Sequence, residues 1–163
     1  MAGPFNAEQQ ARFEAGMTQL LGRYPADHKH AAMLPALRLV QEILGWVPSE
    51  AMALVAGRLE VAPARAREVA TFYVMFHTQE PGKHTLDVCT NVGCCLRGGE
   101  QVLAYLEKKL GIRAGQTTSA KRFTLREVEC LASCGTAPVM QVDEAYVEEL
   151  TPEKIDRTLA SLG

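Results

Sequence analysis

No cysteine occurs before Cys89, and no stretch of the 163 residues is apolar for the roughly 20 residues that a bilayer span takes. A dense basic run is missing too. Seventeen Lys and Arg stand against 19 Asp and Glu, a formal charge of -2 that carries no footprint for nucleic acid or an anionic membrane. The opening stretch MAGPFNAEQQARFEAG has no apolar core of the kind a secretory leader needs, and its Glu8 and Glu14 set it apart from an Arg-rich transit peptide. These absences lead us to expect a cytoplasmic chain with no direct membrane insertion and no nucleic-acid partner. Cys-x-x-Cys and Cys-x-His are both lacking, which argues against dithiol exchange and against a Rieske-type centre. G-x-G-x-x-G, P-loop and G-x-S-x-G motifs are also absent, and we find no internal repeat or low-complexity tract.

What is present is a globular composition, 47% hydrophobic and 22% charged, enough for one domain or a small domain with an appendage. The five cysteines are odd in number and crowded into the second half: Cys89, Cys94 and Cys95 in CTNVGCCLRGG, then Cys130 and Cys134 in ECLASCGTAP. A secreted disulfide scaffold would be shorter, denser and usually even in count, so the clustering favours metal or redox chemistry.

The two halves differ in pattern. Up to about His77 every stretch reads as helix. Asn6 to Gln9 has the form of a capping box ahead of Phe13, Met17, Leu20 and Leu21. Met33, Leu37, Val40 and Leu44 make a second stripe, with Pro35 in an early turn and Gly45 as its stop. Ser49 opens a third helix and Pro63 a fourth, with Val69, Phe72 and Phe76 expected on one face. Trp46, Phe72, Tyr73 and Phe76 are read most simply as core. Beyond Glu80 the pattern becomes strand (HTLDV, leading into Cys89), helix (Gly98 to Leu110), loop, strand (RFTLREV), and a hairpin of APVMQV and AYV turning at Asp143-Glu144. Thr151-Pro152 caps a last helix with Ile155, Leu159 and Leu162. The expected fold is therefore α+β: a small N-terminal helical bundle over 1–80, then a thioredoxin-like α/β sandwich over 81–163.

Cys89 falls where the first strand ends and Cys130 where the next long strand is expected to end, each followed by a second cysteine in the same loop. If those strands are neighbours, the two loops meet at one end of the sheet and four sulfurs converge. Four thiolates suit either a structural zinc ion or a binuclear iron–sulfur cluster. The four-residue and three-residue gaps favour the cluster, since zinc knuckles commonly use two, and zinc stays open at this point. A thiolate-ligated cluster is a net anion, and Arg97, Gly98 and Gly99 at a helix start, with Gly135 after the last cysteine, are candidates for its environment. His28, His30, His77 and His84 lack ligand spacing and are read as core or surface residues.

VCTNVGCCLRGG and VECLASCGTAPVMQV, with MLPALRLVQEILGWVP and EVATFYVMF upstream, closely resemble the family of the 24-kDa-type subunit of respiratory complex I, the NADH-quinone oxidoreductase. These are thioredoxin-like [2Fe-2S] ferredoxins, and the resemblance covers nearly the whole chain. It implies that Cys89, Cys94, Cys130 and Cys134 hold one [2Fe-2S] cluster. It also implies an electron-transfer subunit of an oxidoreductase, with no NADH or flavin site in this chain. FMN and NADH would sit on a 51-kDa-type flavoprotein partner, with a larger iron–sulfur subunit beyond it, on the cytoplasmic side of the inner membrane. The same module occurs in NAD-linked hydrogenases and formate dehydrogenases. Cys95 departs from the family pattern, and we expect a small buried residue there.

Overall fold

A computed structural model describes residues 3–163, which pack as two compact units divided between Glu80 and Pro81. The first begins with α1 (Ala7–Leu21), whose start is closed reciprocally: Asn6 Oδ1 accepts from the Gln9 N–H (2.9 Å) and Gln9 Oε1 accepts from the Asn6 N–H (3.0 Å). Phe13 and Met17 are its buried residues. A 3-10 segment (Ala26–Ala32) leads into α2 (Met33–Leu44), which buries Met33, Ala36, Leu37 and Val40. The helix stops at Gly45, whose left-handed φ of 82° lets its N–H close on the Gln41 carbonyl. Then come α3 (Ser49–Arg58), which buries Val55, and α4 (Pro63–Phe72), with proline in its first turn.

The fourth helix departs from expectation. It ends at Phe72, and its buried face is Ala66 and Ala70; Phe72 itself is 78% exposed and Tyr73 41%. Phe76 does reach the core, but through a turn in which its N–H bonds the Tyr73 carbonyl. The cause lies outside the segment. The Gln41 side chain donates to the Met75 carbonyl (2.9 Å) and accepts from the His77 N–H (2.8 Å), while Val47 N–H takes the His77 carbonyl (2.8 Å). Backbone groups that a longer helix would use internally are satisfied by α2 and its following loop.

The second unit is a five-stranded sheet in the order β2-β3-β1-β4-β5. Its strands are β1 (His84–Cys89), β2 (Gln116–Thr117), β3 (Phe123–Val128), β4 (Met140–Val142) and β5 (Ala145–Val147). Its helices are α5 (Val92–Leu96), α6 (Gly99–Leu110) and α7 (Pro152–Ser161), the last capped by the Thr151 hydroxyl, which accepts from Lys154 N–H. β1 and β3 run parallel, from His84 opposite Phe123 to Cys89 opposite Val128; the other pairs are antiparallel. Leu86, Val88, Leu125 and Met140 form one core with Val102 and Leu106 of α6 and Ile155 and Leu159 of α7. On the opposite face Arg126 grips Asp87 with two hydrogen bonds (2.7 and 2.6 Å), so this part-buried pair keeps its donors and acceptors satisfied. The Ala137-Pro138 peptide is cis.

Two elements were not expected from the sequence, α5 and β2. α5 is a single short helix inside the cysteine stretch, started by the Asn91 side chain accepting from Val92 N–H (2.8 Å). β2 is two residues long and is defined by its pairing with Thr124 and Leu125. Neither is long enough to show a hydrophobic period.

Candidate metal centre

Because β1 and β3 are parallel neighbours, the loops that leave them emerge at the same end of the sheet. Cys89 is the last residue of β1 and is buried; Cys94 is buried in α5. Cys130 lies two residues beyond the end of β3, not within the strand, and is exposed. Cys134 opens the 3-10 turn Cys134–Thr136 and is also exposed. All five cysteines are free thiols.

The two loops touch. A Cβ placed on Gly93 would lie 3.4 Å from Cys134 Cβ and 3.5 Å from its sulfur, so α5 packs directly against the second loop. Cys89 Sγ approaches the Glu129 carbonyl at 3.8 Å, a weak bond from the first loop to the second. Burial, then a hydrogen bond with Cys89, push the Cys94 thiol up to about 11, and neighbouring Cys134 acts in the same direction. Cys89, Cys94 and Cys134 thus share a region in which thiolates disfavour one another. Cys130 is placed differently, its sulfur accepting from the Ala132 N–H (3.3 Å). Among the described residues no three ligand-type side chains are gathered closely enough to hold a single metal ion.

The remaining candidates divide. Gly99 is buried at the start of α6, and a Cβ there would meet the Cys89 carbonyl oxygen at 2.8 Å and the Cys94 carbonyl group at 3.0 Å. Gly98 has φ 95° at the N-cap, a conformation that favours glycine. Gly135 has open space around it, and Arg97 is exposed. Cys95 is exposed, in contrast to the expected buried residue: Cys94 takes the inward position on α5, leaving Cys95 on the outer side 3.7 Å from Glu100 Oε1. That carboxylate raises its pKa. His84 is bonded to Asp143 (2.7 Å), at the start of β1 and so away from the cysteine end of that strand.

The sequence pattern of the thioredoxin-like [2Fe-2S] ferredoxins matches residues 17–163. The chain belongs to that family. Among ferredoxins of this kind, an NADH-quinone oxidoreductase subunit of Rickettsia felis is 43% identical over 141 residues, 86% of this chain and 84% of its own length. An NADH-quinone oxidoreductase subunit of Rhizobium meliloti is 43% identical over 139 residues, 85% of this chain and 82% of its own. In fold, the chain resembles a chain of an NAD+-reducing [NiFe]-hydrogenase solved in the air-oxidized state, with a TM-score of 0.69 at 21% identity. That match covers 80% of this chain and 22% of the hydrogenase chain.

The site's donor chemistry fits the ferredoxin's cluster. Four free thiols come in two pairs from two touching loops, which suits two irons better than one. The mutual disfavour of neighbouring thiolates is relieved by a cationic occupant, whose binding displaces the thiol protons.

Sequence reasoning missed one group beside this ferredoxin site. Glu148 Oε1 accepts from Ser133 Oγ (2.5 Å) and Thr136 Oγ1 (2.6 Å), and those bonds, Ser133's first, hold its pKa below the usual carboxylate range. The only trace of it in the sequence is its place two residues after Tyr146, in the segment leaving the hairpin.

Proposed function

We propose that this chain is the one-electron carrier of an NADH-oxidising module, with Cys89, Cys94, Cys130 and Cys134 holding one [2Fe-2S] cluster. The observation that carries this reading is the parallel β1–β3 register, Cys89 opposite Val128, which sends both cysteine loops out of the same sheet end. When bound, the cluster supplies reversible one-electron storage. The chain's own residues supply the rest. Four thiolates bind, the buried positions of Cys89 and Cys94 limit water on one side, and Gly99 lets α6 close against the first loop.

The named relatives at 41–43% identity support NADH-quinone oxidoreductase as the parent complex. The FMN- and NADH-binding chain would be a separate 51-kDa-type flavoprotein, followed by a larger iron–sulfur subunit, on the cytoplasmic side of the membrane. No helix among the described residues is long and apolar enough to cross that membrane, consistent with attachment through the complex. The fold likeness to the NAD+-reducing hydrogenase keeps a diaphorase role in a hydrogenase, or in a formate dehydrogenase, as the second reading.

Low-temperature EPR on anaerobically purified protein tests the cluster. A silent oxidised sample that gains about one spin-half per chain on dithionite reduction is the expected outcome for a binuclear centre. Silence in both states, with bound zinc and no iron, would make the site a structural zinc module. Cys134→Ser is expected to abolish or alter the signal and Cys95→Ser to leave it. The reverse for Cys94→Ser and Cys95→Ser would reassign the ligand in α5.

A further inference from the structure

The loop that carries Cys130 and Cys134 does not hold its shape by local preference. Ala132, between the two cysteines, has φ 57°, a left-handed conformation that a side chain disfavours. What holds it comes from the far side of the hairpin. Tyr146 and Glu148 are two apart in an extended segment, so their side chains leave the same side. Tyr146 donates its hydroxyl to the Leu131 carbonyl (2.7 Å), just after Cys130. Glu148 Oε1 accepts from Ser133 and Thr136, which bracket Cys134. The two hydroxyls are 2.8 Å apart, yet each has one proton, and with both directed at the carboxylate neither has one for the other. The carboxylate is therefore the common acceptor of this group.

The clamp is itself anchored. Lys154 Nζ in α7 donates to the Glu148 carbonyl (2.5 Å), and Glu149 N–H donates to the Thr136 carbonyl (2.8 Å). Loop positions 131, 133 and 136 are thus tied to one edge segment, on both sides of Cys134.

We propose that Glu148, assisted by Tyr146, is the positioning residue that fixes the second cysteine loop and presents Cys134 to the cluster. The proposal rests on the ligand assignment above. Glu148 reaches the ligand only through Ser133 and Thr136, so its removal frees the loop without removing a ligand.

The test compares wild type, Glu148→Ala, Glu148→Gln and Tyr146→Phe as full-length chains. Gln keeps an oxygen able to accept both hydroxyls. Hydrogen exchange of residues 130–136, read against β1, is expected to quicken about tenfold in Glu148→Ala, the scale of losing hydrogen bonds to a charged acceptor. Protection of β1 stays unchanged, and Glu148→Gln stays close to wild type. Chelator-driven bleaching of the cluster is expected to accelerate about tenfold in Glu148→Ala on the same ground, with a smaller effect from Tyr146→Phe. Adding Ser133→Ala to Glu148→Ala should change little, since the acceptor is already gone. Loop exchange within twofold of wild type in Glu148→Ala overturns the proposal. So does a loss of protection spread equally over β1 and α7, which would mark a general stability role. If wild type holds no binuclear cluster, the ligand assignment fails, and the exchange measurement still decides the clamp.

Discussion

Gly99 shows how one hydrogen in place of a methyl group sets the geometry of the centre. Its α-carbon faces the Cys89 carbonyl oxygen and the Cys94 carbonyl group, all backbone atoms that cannot swing aside. Gly99→Ala would force α6 away from the strand end and α5, and so move two ligand positions at once. We expect a loss of roughly 1–3 kcal/mol, the usual cost of overpacking, read as a lower urea midpoint, together with less iron per chain. A variant with wild-type midpoint and iron content would show that the contact is slack. Gly93, beside Cys134, is less demanding, because the contacts there are at ordinary van der Waals distance. The sequence singled out Gly98 and Gly99 as a close-approach pair, which the structure supports. The backbone they approach was invisible, since it belongs to residues brought in by the sheet.

At the scale of elements, the carboxylate of Asp156 joins the two long helices of the second unit. Tyr105 Oη of α6 donates to Asp156 Oδ1 of α7 (2.8 Å), and Lys109 Nζ of α6 approaches the same oxygen (2.6 Å). The Lys109 contact first, then Tyr105, hold the Asp156 pKa below its ordinary value. A depressed folded-state pKa means that the unfolded chain binds the proton more readily. The contribution is therefore complete above the unfolded carboxyl's pKa, about 3.9, and is lost as pH falls through the lower folded value. Asp156→Asn should lower the melting midpoint at pH 7, with the gap from wild type closing below about pH 4. A gap that persists unchanged at about pH 2.5, below the unfolded pKa, would assign the effect to packing. Both charged partners are more than one-third exposed, so a small difference is expected.

For the whole molecule, the exposed apolar residues matter most. Phe72 is 78% exposed at the end of α4, followed by Tyr73, and Val92 and Leu96 stand out from α5 near the cysteines, Leu96 at 81%. Large aromatic and aliphatic groups on the surface mark places where a partner is buried. Under the proposed function that partner is the flavoprotein, over an obligate interface of roughly 1,600 Å² or more. Phe72→Asp and Leu96→Asp, made separately, are each expected to weaken copurification with an FMN-containing chain, by about thirtyfold in affinity if the position is a central anchor. Neither should change the melting midpoint by much, because neither side chain is buried. Unchanged stoichiometry in both variants would place the interface elsewhere.

What the sequence by itself determined is local and periodic: the Asn6 box, the stripes of α1 and α2, the Gly45 stop, the strands flanking the cysteines, and the spacing that marks a four-thiol centre. Such features depend on residues within a turn or two of one another, so a linear reading can find them. The tertiary structure decided everything that required distant segments to meet. It ended α4 at Phe72 because Gln41 takes up the backbone beyond it. It turned Cys94 inward and Cys95 outward, and formed α5 where no period could announce it. It brought Glu148 onto the loop of Cys134 through a hairpin whose register no local signal encodes. Side-chain periodicity records which face of an element is apolar; only chain closure decides which other element that face will find.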